Sequence, residues 1–180
     1  TAAMSSQLVS FFDPLIMRSY RPDYVSARQY QDLLSTNRAC SALVEAAQLS
    51  WTTQMENVRL RFPKQDESQF ARDLSNAQRS AAKIEPQIEQ LVAVLRQGEK
   101  DRPKLTKPRW QAGFDLAIGR ALAVKARTEG YNAMLAEAKQ GLTFKNEKSD
   151  TWELNPSDSV TINSALAKGA TDARAYLERV

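Results

Sequence analysis

The side chains able to do chemistry in this sequence are few. Histidine is absent among the 180 residues, which removes the commonest general base and the commonest transition-metal ligand together. One cysteine is present. Cys40 therefore forms no intrachain disulfide and no thiolate cluster, and its place on an apolar helical face marks it as a small buried hydrophobe. Carboxylates remain, which would suit Ca²⁺ or Mg²⁺. Asp73-Leu74-Ser75-Asn76-Ala77 begins like the Asp-x-Ser-x-Ser metal motif, but alanine stands where the second serine is needed and Leu74 belongs to an apolar stripe. We expect an ordinary helix face there. Glu85 and Glu89 form an i,i+4 acidic pair, read as a solvated face rather than a catalytic pair. Lys125 and Glu129 are a plain i,i+4 contact. No Gly-x-Ser-x-Gly, Walker-type or Gly-x-Gly-x-x-Gly sequence occurs. No cofactor and no metal site are expected.

The most distinctive polar feature is basic. Lys100, Arg102, Lys104, Lys107 and Arg109 crowd into ten residues with only Asp101 against them, and Trp110 follows. Cations beside an aromatic can bind phosphates and stack on bases. The plainer reading is a solvated loop with Trp110 anchored in the core. The net charge of +4 permits an acidic partner without demanding one.

The elements that would carry these groups read as helices. Only six glycines and seven prolines occur, too few for a loop-rich β-sandwich, and good helix formers abound. Asp13-Pro14 predicts a cap and first helical position for a short helix through Leu15, Ile16 and Met17, after an apolar stretch of Leu8, Val9, Phe11 and Phe12. Ser26 predicts the cap of a helix with Tyr30, Leu33 and Leu34, and Ser35, Thr36 and Asn37 the next break. Cys40, Val44, Ala47, Trp51, Met55, Val58 and Phe62 recur at steps of three or four and predict one helix running towards Pro63. Phe70, Leu74, Ala77, Ala81, Ile84, Ile88, Leu91 and Leu95 keep their phase across Pro86. This predicts a single long helix, kinked or loosened at the proline and stopped at Gly98.

Residues 99–109 read as a linker, with Thr106 as cap of the next helix. That helix carries Trp110, Phe114, Ala117, Ala121, Val124, Thr128, Tyr131, Leu135 and Ala138 on one face and ends at Gly141. Its second face is small: Gly119, Ala123, Ala126, Gly130 and Ala133. Such a helix is expected to be central, with neighbours on two sides. Its aromatic positions, with Trp51, Phe62 and Phe70, are read as core rather than a cofactor pocket. Leu142-Thr143-Phe144 and Thr151-Trp152-Glu153-Leu154 predict a small hairpin or ordered loop, with Phe144 and Trp152 laid on the helices. A last helix carries Ile162, Leu166, Ala170, Ala173, Leu177 and Val180.

The expected fold is an all-α antiparallel bundle of long helices with near-heptad packing. It forms a single domain over 1–180: a connecting segment over 1–25, the main bundle over 26–141, a loop or hairpin over 142–160 and a final helix over 161–180. No run of about 18 apolar residues is present, so no membrane-spanning helix is expected. The sequence opens at Thr1 without an initiator Met and stops at Val180 within a helical pattern, which reads as a piece of a longer protein. Its compartment stays open.

Four stretches together carry a resemblance. They are Phe11-Phe12-Asp13-Pro14 leading to Arg18–Tyr24; Arg109–Ala123, with Trp110, Gly113, Phe114, Gly119 and Arg120; Arg127–Met134; and Thr151–Leu154. They resemble the helical region that follows the von Willebrand factor A domain in a group of bacterial proteins, over most of the chain. The resemblance implies an upstream α/β domain holding a metal-dependent adhesion site, none of whose metal ligands has a counterpart here. It implies an accessory, scaffolding role. The expected function is a non-catalytic helical protein–protein interaction module, with self-association as one form of it. The second reading is an anionic-surface or nucleic-acid binder through Lys100, Arg102, Lys104, Lys107 and Arg109. The third is an enzyme built on carboxylates, Lys or Tyr.

Overall fold

The computed structural model describes residues 13–52, 58–64, 66–141, 149–155 and 164–180. Among them six α-helices and two short strands follow in order: α1 Pro14–Arg18, α2 Ala27–Thr36, α3 Arg38–Thr52, β1 Arg61–Pro63, α4 Glu67–Gly98, a 3₁₀ turn Glu99–Lys104, α5 Pro108–Gln140, β2 Thr151–Glu153 and α6 Ser164–Leu177. The fold is all-α. No helix among the described residues is long and apolar enough to cross a membrane.

Local chemistry sets the helix starts. Asp13 Oδ1 accepts from the Leu15 amide at 2.8 Å with Pro14 in the first turn. Ser26 and Gln29 form a reciprocal capping box. Asp66 accepts from the Gln69 amide at 2.7 Å and opens α4. Asn37 closes α2 and opens α3, its Oδ1 taking the amides of Ala39 and Cys40 at 2.9 and 3.3 Å. The break is at Asn37 alone, since Ser35 and Thr36 complete α2. Thr106 does not cap α5. Lys107 holds that position without a side-chain bond, and Pro108, which has no amide hydrogen, leaves one donor fewer to satisfy.

α4 and α5 form an antiparallel hairpin closed by the 3₁₀ turn. α4 runs unbroken through Pro86. Its stripe meets the large face of α5 in a core that includes Ile88, Val92, Leu95, Phe114, Ile118 and Leu122. α3 runs down against α4, and α6 runs up against the small face of α5, so α5 is flanked on both sides. Gly119 lets Leu177 and Tyr176 approach: a Cβ there would stand 2.9 Å from the Leu177 side chain. Gly98 is needed for space too. Its missing Cβ would meet Phe114 at 2.8 Å and the Ala39 backbone at 2.9 Å.

The helix predicted through Phe62 is described over Arg38–Thr52, residues 58–60 are not helical, and Val58 is 46% exposed rather than on a core stripe. Phe62 is fully buried, but as the inward residue of strand β1, whose neighbours Arg61 and Pro63 point out. The hairpin or ordered loop expected over 142–154 lies largely outside the described residues, which hold only its second part. Thr151–Glu153 pairs antiparallel with β1, placing Phe62 opposite Trp152 with ring centroids 5.6 Å apart. A strand of three residues has too short a repeat to separate period 2 from period 3.6. Phe62, Phe70, Leu74, Leu135 and Ala138 make a second core at this open end of the hairpin. Leu8, Val9, Phe11, Phe12, Met55, Leu142, Thr143, Phe144 and Ile162 lie outside the described residues, as does the side chain of Trp51.

Candidate functional site

The basic segment does not stay together as a loop of free cations. Residues 99–104 wind into the 3₁₀ turn that joins α4 to α5, which scatters its charges. Arg102 turns inward onto Asp115, a residue of α5 with no exposed surface, through Nε at 3.1 Å and a second, shorter contact from its terminal nitrogen. That bidentate bond, and the negative charge beside it, hold the guanidinium above its ordinary pKa. Lys104 pairs with Asp101 at 2.7 Å, and Lys107 reaches Asp23 at 3.3 Å. Lys100 and Arg109 are exposed and have no ion pair among the described residues. Trp110 is half-buried against the core. The structure therefore engages Arg102, Lys104 and Lys107 in internal pairs and leaves Lys100 and Arg109 outward.

Around the turn the polar groups form a continuous seam. Asp101 accepts the Arg38 amide at 3.0 Å, putting a carboxylate at the positive end of α3. The Lys104 bond and then this amide bond lower the Asp101 pKa. Glu99 accepts from the Tyr176 hydroxyl and pairs with Arg96 at 2.7 Å, while Arg96 also faces Asp172 at 3.6 Å. Burial, then the bond to Glu99, push the Tyr176 phenol up to about 12. The seam ties α3, α4, α5 and α6 at the closed end. Asp115 carried a readable signal: an acid next to Phe114 and three residues before Ile118 sits at the edge of an apolar stripe, where only a paired charge is tolerated. Its partner, thirteen residues upstream, had no such signal.

Two concavities lie away from the turn: an open groove of about 420 Å³ lined by Ser75, Gln78, Arg79, Ala82, Asn132 and Lys139, and a more enclosed cleft of about 230 Å³ between α4 and α5 near β1, lined by residues including Arg59, Asp73, Ala77, Ser80, Thr128 and Tyr131. Tyr131 thus borders a cleft, whereas Phe114 is wholly in the core. The cleft's polar groups already hold one another. Arg59 pairs with Asp73 at 2.9 Å and lies 5.1 Å over the Phe62 ring, and the Tyr131 hydroxyl donates to the Arg59 carbonyl at 2.7 Å. Asp73 also accepts from Gln69 at 3.0 Å. Desolvation raises the Tyr131 pKa. The enclosed cleft is smaller than the roughly 300 Å³ at which small-molecule sites begin.

The remaining chemical groups are placed as follows. Cys40 is buried, and desolvation pushes its thiol up to about 11, far from a reactive thiolate. Glu89 binds Lys125 across the α4–α5 interface, and Lys125 also faces Glu129 at 3.5 Å. Among the described residues no three acids or thiols converge as a metal site. The chain matches no family model, no curated protein and no solved structure.

Proposed function

We propose that the chain is a non-enzymatic helical module that binds a protein partner, accessory to an upstream von Willebrand factor A domain. One observation carries the binding reading. In the segment Pro14–Val25 most apolar side chains stand exposed: Leu15 is 72% exposed, Ile16 60%, Met17 48% and Tyr24 97%, while Tyr20 is half-buried. Helix α1 contributes no residue to the core. The ion pair Lys107–Asp23 attaches the segment to the turn before α5. Covering a single Leu or Ile side chain stabilises a contact by about 1.5–3 kcal/mol, so this segment offers enough apolar area for a docking site. The accessory role is supported by the resemblance of the Arg109–Ala123 and Arg127–Met134 stretches, and reading the coding sequence upstream of Thr1 tests it. An Asp-x-Ser-x-Ser motif in an α/β pattern is the expected finding.

The binding reading is tested with wild-type protein and the variant Leu15→Asp/Ile16→Asp/Tyr24→Asp. A partner retained in stoichiometric amount by the wild type should be lost by the variant, with the helical circular dichroism unchanged. Light scattering distinguishes a foreign partner from self-association. Equal retention by both proteins would remove this surface from consideration. Catalytic turnover abolished by one conservative substitution would overturn the non-enzymatic reading.

A further inference from the structure

Helix α5 is covered on most of its circumference. Between Arg109 and Glu137 its only exposed residues are Leu116, Arg120 and Arg127. At 3.6 residues per turn, Arg109, Leu116, Arg120 and Arg127 lie within about 20° of a single line along the helix. Half-buried Met134 continues the same line. None of these arginines has an ion pair among the described residues, in contrast to Arg102 a few residues upstream.

The walls of this stripe are poor in acid. On one side stands α3, whose one carboxylate, Glu45, is held by Arg38 at 3.2 Å. On the other stands α6. Its Asp172 and Tyr176 turn towards α4, which leaves exposed Arg174 and Glu178 on the flank beside the stripe. Gly113 and Gly130 beside the stripe are already met by Leu43 of α3 and Leu166 of α6, at 3.3 and 3.4 Å from where a Cβ would stand. The arginines stand out between these two walls as forks suited to carboxylates.

We propose that the outer stripe of α5 docks an acidic amphipathic helix of a protein partner. Charge complementarity selects the occupant. The three cations are eleven and seven residues apart, roughly 16 and 10 Å along the axis, intervals that recur on one face of a second helix laid alongside. Leu116, 40% exposed between two arginines, adds an apolar contact that a phosphate backbone does not use. Three cations would also give nucleic acid a salt slope of only about −3, the mark of weak non-specific binding. The inference rests on reading the chain as an interaction module, but uses residues other than those of Pro14–Val25.

The test uses the full chain and a fluorescent helical peptide of about 25 residues, enough to cover the roughly 27 Å from Arg109 to Arg127. One peptide face carries glutamates at every third or fourth position with leucines beside them. A control peptide of equal composition spreads its glutamates around the helix. The faced peptide should bind, and Arg109→Ala/Arg120→Ala/Arg127→Ala should weaken it by about tenfold with unchanged circular dichroism. Reversing charge on both sides, Arg→Glu on the protein and Glu→Arg on the peptide, should restore binding. Absent binding, equal binding of the control peptide, or tighter arginine-dependent binding of duplex RNA or anionic vesicles would overturn the proposal. The Leu15→Asp/Ile16→Asp/Tyr24→Asp variant should bind the peptide like the wild type. Failure of the stripe is thereby separable from failure of the N-terminal surface.

Discussion

Removing Arg102 while leaving Asp115 in place should be among the most damaging single changes in the closed end of the bundle. Asp115 has no exposed surface, so in Arg102→Met its carboxylate keeps its burial and loses its counter-charge. Breaking a buried pair in this way costs about 3–5 kcal/mol. The Arg102 side chain is 25% exposed, which admits some solvent, so the lower part of that range applies, about 3–4 kcal/mol. For a chain of this size that lowers the melting temperature by about 6–16 °C. Arg102→Met/Asp115→Val, which removes both charges, should recover to within about 1 kcal/mol of wild type, because a buried pair nearly breaks even against apolar packing. Urea denaturation followed by circular dichroism at neutral pH measures all three proteins. A deficit under about 1 kcal/mol for Arg102→Met, or a double variant worse than the single one, would refute this account of the pair.

Further expectations concern stability and titration. Gly98→Ala should destabilise by about 1–3 kcal/mol because its Cβ would fall 2.9 Å from the Ala39 backbone. Gly169→Ala, inside α6 with nothing within 4 Å, should stabilise by about 0.5–1 kcal/mol; thermal melts of the two variants compare them directly. Tyr176 is raised from 10.0 to about 12, so its contribution is complete below pH 10 and is lost as pH rises through 12. Tyr176→Phe should cost about 1 kcal/mol at pH 7 and lose less than wild type between those values in alkaline denaturation. Cys40, raised to about 11 and buried, should react with an aromatic disulfide reagent at pH 8 only when urea opens the fold, as absorbance of the released thiolate will report.

Much of the bundle is legible because its signals are local and repeated. The stripe from Phe70 to Leu95 keeps its phase over seven turns, enough to override Pro86, and the small face of α5 announces a close neighbour through Gly119 and Gly130. Capping at Asp13 and Ser26 is equally local. What escapes is long-range or brief. Phe62 satisfies a helical stripe and a three-residue strand alike, and its partner Trp152 lies ninety residues away. The basic segment shows the same limit in electrostatic form. Its composition identifies the cations, but the winding of residues 99–104 decides that Arg102 serves Asp115 while Arg109 joins Arg120 and Arg127. Those last two are separated from it in sequence and aligned only by the pitch of α5.

The ladder between Arg61–Pro63 and Thr151–Glu153 brings together the two ends of the α4–α5 hairpin. The chain thus enters and leaves its longest unit through one doorway, and α3 and α6 hang from opposite jambs. Joining segments so far apart in sequence is entropically demanding until the two rods lie side by side. Folding is therefore expected to build the hairpin first and to close the ladder on it afterwards. New chain grafted at either jamb would enlarge the protein without parting the rods.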